Sequence, residues 1–281
     1  MKSEWTHFKN MKGKKEFLFV TVFFSILVFG ILIGFGTITS GFKLVDDQML
    51  MRYVYNMEVQ GKSVWAVIRE ELKFDFQERF RPIYYPTRVL LAFLFRDNFA
   101  ALSVLRGVET VFSFVVSYYV GRKLRCSIGY SLAFSLVILM GPQSAIWWKL
   151  GPQELAGTWL MGLVMLCLLT WRETGKQIWN WLGILLVIVV SLYKESFAIL
   201  VPAIMLFYVY SEMEGQRVSV SGIIKAIQKN IVSLMTLGVF LLFEAAMMLF
   251  WVGVDSNSYA GVDLSLGLWF YIKMFLNNSF I

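Results

Sequence analysis

From Phe17 to Ile38 the chain runs 22 residues without a charged side chain. A helix of about 20 apolar residues crosses the hydrocarbon core of a bilayer. Runs of similar character recur at about 98–120, 128–148, 154–171, 178–210 and 231–254. Backbone groups in hydrocarbon must satisfy their own hydrogen bonds, so such runs fold as helices. Composition agrees: 58% of the 281 residues are hydrophobic and 16% charged, against about 45–50% and about 25% in soluble domains. A cytosolic enzyme, a disordered tail protein and a secreted disulfide scaffold are excluded. The expectation is an all-α polytopic membrane protein.

Residues 1–16 form a basic tail with Lys2, Lys9, Lys12, Lys14 and Lys15. The first run is longer than the apolar core of a signal peptide, about 7–15 residues. It reads as an uncleaved first span, 17–38, with a cytosolic N-terminus. The net charge of +7 sits mostly at span edges, which reads as topology rather than nucleic-acid binding. Cys126 and Cys167 have no metal-ligand spacing, and the single histidine, His7, lies in the tail. Histidine catalysis and histidine metal sites are thereby nearly excluded.

The block 178–210 has Lys194 and Glu195 near its middle. As one helix it would be about 50 Å long, against a core of about 30 Å. Two short spans turning at Tyr193–Ser196 put Arg122, Lys123, Arg125, Arg172, Lys176, Arg217, Lys225 and Lys229 in cytosolic loops. Only Lys149 and Lys194 then lie in short outer loops, eight basic residues against two. One long span would give five against four. The positive-inside rule selects two spans, hence about seven in all. Six of them fall in 98–254, and the segment 255–281 lies outside with Asp255, Asp263 and an amphipathic stretch, Leu264–Leu276.

Residues 39–97 form the long amphipathic first outer loop, rich in charge and aromatics. Two interfacial helices are expected there, one after Asp46-Asp47 as N-cap and one starting near Ser63. Four constellations in the chain carry chemistry. Adjacent carboxylates, Asp46-Asp47, suit a general base or a divalent-cation ligand pair, and equally a helix cap. Arg79-Phe80-Arg81-Pro82, followed by Tyr84, Tyr85 and Pro86, suits a phosphate clamp, and equally an interfacial anchor. Lys194-Glu195 in an apolar turn suits a functional intramembrane pair, or a mutually paired turn. Arg106 and Glu109, at i,i+3, read first as a structural pair. Glu154 and Glu244 are acids without a sequence-local partner. Phosphate-loop, dinucleotide-binding, zinc-protease and serine-hydrolase patterns are absent from the sequence.

Several of these features follow one another in a suggestive order: Gly41-Phe42-Lys43-Leu44-Val45-Asp46-Asp47, then Arg79-Phe80-Arg81-Pro82, then Leu105-Arg106-Gly107 and Tyr119-Val120-Gly121-Arg122-Lys123, then Glu154, then Ser191-Leu192-Tyr193-Lys194-Glu195-Ser196 and Pro202. Over about 17–210 this resembles the GT-C superfamily of polytopic glycosyltransferases, which includes protein O-mannosyltransferases and lipid A aminoarabinose transferases. The resemblance implies a sugar carried on a polyprenyl phosphate or pyrophosphate. It implies transfer, with inversion, to an acceptor hydroxyl on a glycan, lipid or protein at the outer or lumenal face, in a bacterial plasma membrane. One of Asp46 and Asp47, with Asp47 favoured, would be the general base. Arg79, Arg81 and Lys194 would neutralise the phosphate leaving group, with Glu195 orienting Lys194, and Arg106 and Glu154 in support. No cofactor is required beyond a divalent cation, which Asp46 and Asp47 would hold if one is used. Members of the superfamily are longer, so 255–281 is expected to be a truncated outer segment or the end of a minimal module. Two other readings stay open: a non-catalytic lipid-binding or translocating component of envelope polysaccharide assembly, and a polysaccharide polymerase of another superfamily.

Overall fold

A computed structural model describes residues 2–40, 47–77, 79–137, 153–213, 219–252, 269–270 and 273. Among the described residues the chain is helical, without strands. Five helical stretches are long and apolar enough to cross a membrane: Gly13–Gly34, Phe99–Lys123, Gln153–Thr174, Glu195–Met213 and Ile231–Val252. Two further apolar helices, Ile128–Val137 and Gln177–Ser191, are shorter.

The first helix, α1 (Lys2–Gly34), precedes the segment 39–97, expected to be the first outer loop. Three helices build that loop where two were expected: α2 (Gln48–Glu58), α3 (Val64–Asp75) and α4 (Tyr84–Phe95). α3 starts as its sequence predicts, with Ser63 Oγ accepting from the Ala66 N–H at 3.2 Å. Asp47 occupies the cap position of α2 but makes no side-chain cap bond, because its carboxylate is turned inward. α4 follows Pro82 and carries Pro86 in its first turn, where no helical N–H is needed. The segment also has an apolar core of its own. Leu50, Tyr53, Val54, Val67, Ile68, Val89 and Ala92 pack together and onto Leu102.

The bundle comprises α5 (Phe99–Lys123), α6 (Ile128–Val137), α7 (Gln153–Thr174), α8 (Gln177–Ser191), α9 (Leu200–Met213), α10 (Val220–Lys229) and α11 (Ile231–Ala246). α1 packs on α5 through Val20, Phe24, Val28 and Leu32 against Val111, Phe114, Val115 and Tyr118. A second core joins α7, α8, α9 and α11, from Val164 and Leu168 to Leu234 and Leu237. Within it Tyr208 donates to Asn180 Oδ1 at 2.5 Å, and Asn180 Nδ2 donates to Ser233 Oγ at 3.0 Å. Leu18, Ile26, Leu206 and Leu242 are among many apolar side chains facing outward, as lipid-facing positions require.

The block 178–210 breaks where its charges predict. α8 stops at Ser191, a 3₁₀ turn covers Glu195–Ile199, and α9 resumes at Leu200. α10 was not anticipated. Val220, Ile223, Ile224 and Ile227 give it one apolar face, with Lys225 and Lys229 also on the helix. α11 continues as a π-helical turn, Met247–Val252.

Candidate functional site

The loop after α3 is joined to the turn between α8 and α9. The Ile83 N–H donates to the Leu192 carbonyl at 3.3 Å, and the Thr87 and Tyr193 hydroxyls lie 3.2 Å apart. Beside this seam, Arg81 Nε and Nη2 donate to the two Glu195 oxygens, each at 2.6 Å. Both groups are largely shielded from solvent, with side-chain exposures of 6% and 22%. A planar guanidinium meeting a carboxylate through two parallel bonds is the strongest geometry such a pair adopts.

Lys194 turns the other way. Its Nζ donates to Glu154 Oε1 at the start of α7, at 2.5 Å. The expectation that Glu195 orients Lys194 is therefore corrected. The backbone at Lys194 is extended, and neighbouring side chains on an extended backbone point to opposite sides. The turn thus reaches α7 with one residue and the α3–α4 loop with the next.

Below Arg81 lies an acid that the sequence reading did not single out. Asp75 is 2% exposed. Its Oδ2 accepts from the Arg81 N–H at 2.9 Å, and its Oδ1 has no hydrogen-bond partner among the described residues. Burial pushes the Asp75 carboxyl up to about 6, against the opposing pull of Arg81. Burial also works against the charge of Arg81, but Glu195 outweighs it and holds the guanidinium above its ordinary value. Arg79 lies within electrostatic reach of both Asp75 and Glu195.

Asp46 lies outside the described residues. Asp47 is 1% exposed and its charge acts on Arg88 of α4. Arg88 donates to the Tyr84 hydroxyl at 2.9 Å and sits 5.4 Å from the centroid of that ring. Behind them, Arg52 meets both Glu71 oxygens at 2.6 and 2.7 Å, and the Tyr53 hydroxyl donates to Glu71 at 3.3 Å. Tyr84 is within electrostatic reach of Arg88, Glu154 and Arg81, so it links the Asp47 layer to the Arg81 layer. Burial pushes the Tyr84 phenol up, and that of Tyr85 to about 12. Both remain protonated donors at neutral pH.

Arg106 pairs with Glu109 as its spacing predicts, and both lie within reach of Tyr193. The structure thus gathers Arg79, Arg81, Lys194, Glu195, Glu154 and Arg106 around one seam, with Asp47 one layer away. Arg88 and Asp75 were the residues missed. A helical reading from Tyr84 would have found Arg88, since i,i+4 places it on the Tyr84 face. Among the described residues, no group of three or more His, Cys, Asp or Glu is arranged to hold a metal ion. Arg81 and Lys194 can stabilise an anion only by partner exchange, because each already holds a carboxylate. No protein-family model, curated protein or solved structure matches this chain, so its function is read from the arrangement of these residues.

Proposed function

We propose that this chain is a membrane glycosyltransferase of the GT-C kind. It moves a sugar from a polyprenyl-phosphate or pyrophosphate donor to an acceptor hydroxyl at the outer or lumenal face. The observation that carries the reading is the seam itself. Two arginines, a lysine and their acids converge there from the outer loop, α7 and the α8–α9 turn. In this reading α6 and α8 complete seven spans, the N-terminus is cytosolic, and the seam lies at the outer interface, where a lipid phosphate would sit. Lys194 and Arg79 are the cations that meet the phosphate, with Lys194 leaving Glu154 as negative charge grows on the leaving group. Arg81, locked to Glu195, holds the loop on the turn. Asp47 is the general base, and Arg88 sets its position.

A second reading is favoured by one observation, the burial of Asp47. A covered carboxylate with a structural task fits a non-catalytic lipid-binding component, in which the cations matter and the aspartate does not. Carrier release separates the two. Purified protein receives polyprenyl-phosphate sugars and a crude acceptor extract, and freed carrier lipid is quantified. The transferase reading expects release by wild type, at least a hundredfold loss in Asp47→Asn, and a comparable loss in Lys194→Ala. Retained donor without release in wild type would replace it with the binding reading.

A further inference from the structure

Glu244 is the one acid in the apolar run of α11, and it is 4% exposed. It lies 13 residues beyond Ile231, about 20 Å along the helix. A buried acid in an otherwise apolar helix is expensive and tends to mark function. Its Oε2 has no hydrogen-bond partner among the described residues. That oxygen belongs to a side chain lining a cavity of about 130 Å³, shared with Phe80, Glu195, Ala198, Leu241 and Met248. Glu195 gives both oxygens to Arg81, so of the two carboxylates beside the cavity Glu244 is the one with a buried oxygen left without a partner among the described residues. Directly after it, α11 changes to a π-helical turn at Met247–Val252, a distortion frequent at functional sites.

The chemistry of the walls narrows the ligand. A hard cation needs six or more oxygen ligands, and here one acceptor faces apolar walls. Buried water needs two to four polar partners, and the remaining walls offer few. A group with hydroxyls on one edge and a C–H face on the other fits better. Its hydroxyl would donate to Glu244 while its face packs on Phe80 and Leu241.

We propose that the cavity between α11 and the α8–α9 turn is a binding subsite for a hydroxyl-bearing head group, with Glu244 as its hydrogen-bond acceptor. The choice of a polyprenyl-phosphate hexose as probe rests on the transferase reading; the subsite itself does not. Glu195, the partner of Arg81, lines the cavity, so a phosphate at the seam and a hydroxylated head in the cavity would be neighbouring parts of one ligand.

The test is binding without acceptor, so no turnover enters it. Native mass spectrometry in detergent compares polyprenyl phosphate, polyprenyl-phosphate hexose and free methyl hexoside on wild type, Glu244→Gln and Glu244→Leu. Wild type is expected to hold the hexose-bearing lipid roughly tenfold better than the bare phosphate, about the worth of one good hydrogen bond. Glu244→Leu should erase that preference, and Glu244→Gln should keep part of it. Competition by methyl hexoside, lost in Glu244→Leu, would assign the same subsite to a soluble source of hydroxyls. Glu244→Leu is expected to melt no lower than wild type, because it removes an uncompensated buried acid, so loss of preference cannot be ascribed to unfolding. Equal preference in all three proteins overturns the proposal, as does a wild type that does not distinguish the probes. Failure of carrier release with this preference intact would remove the transferase reading and leave the subsite.

Discussion

At the scale of single residues, Asp75 couples the site to pH. Its carboxyl titrates near 6 in the fold against 3.8 for the free group. The folded state therefore binds this proton more tightly than the unfolded chain. The stabilisation is fully present below about pH 4 and is lost as pH rises through 6, up to roughly 3 kcal/mol in all. Asp75→Asn keeps an acceptor for the Arg81 N–H and removes the titration. Melting curves from pH 4 to 7.5 should fall for wild type and stay flatter for the variant, which should be the more stable of the two at pH 7.5. Parallel curves would show that Asp75 does not titrate in this range.

At the scale of elements, close approach as well as charge seats the turn. A Cβ on Gly157 of α7 would lie 2.2 Å from the Phe197 ring, so the 3₁₀ turn packs directly on a glycine face. Gly157→Ala must push Phe197 away, and Lys194 and Glu195 with it. A loss of about 1–3 kcal/mol is expected, together with a drop in carrier release. Gly129→Ala, where a Cβ meets nothing within 4 Å, should be neutral or slightly stabilising. Equal melting temperatures for both would mean that the turn yields freely. α10 belongs at this scale too. Its apolar positions at 220, 223, 224 and 227 follow a helical period. At 10 residues the helix is too short to span a bilayer, so it leaves no membrane signal in the sequence.

At the scale of the whole molecule, Arg81–Glu195 ties the α2–α4 segment to the helical bundle across 114 residues of sequence. Arg81→Met leaves the Glu195 carboxylate shielded and unpaired, at a cost of about 3–5 kcal/mol. The double variant Arg81→Met/Glu195→Met should recover most of that. Additive losses in thermal unfolding would mean the pair is incidental. Sidedness is tested with Cys126 and Cys167 replaced by serine. In intact cells an impermeant maleimide should label Gln60→Cys, whereas Lys176→Cys should react only after permeabilisation. The reverse pattern would invert the proposed topology.

The sequence by itself determined the helical class, the apolar runs in which the five long helices lie, the start of α3 at Ser63, the break before Glu195 and the Arg106–Glu109 pair. Each follows from local quantities: run length, a capping side chain, two charges inside an apolar block, and i,i+3 spacing. The tertiary structure alone decided that Lys194 faces Glu154, that Arg81 faces Glu195, that Asp47 and Asp75 are buried, and that Glu244 borders a cavity. Those facts depend on which surfaces meet when separate helices pack. A carboxylate chooses its cation by geometry across that packing, and residues 40 or 114 apart carry no local signature of the choice.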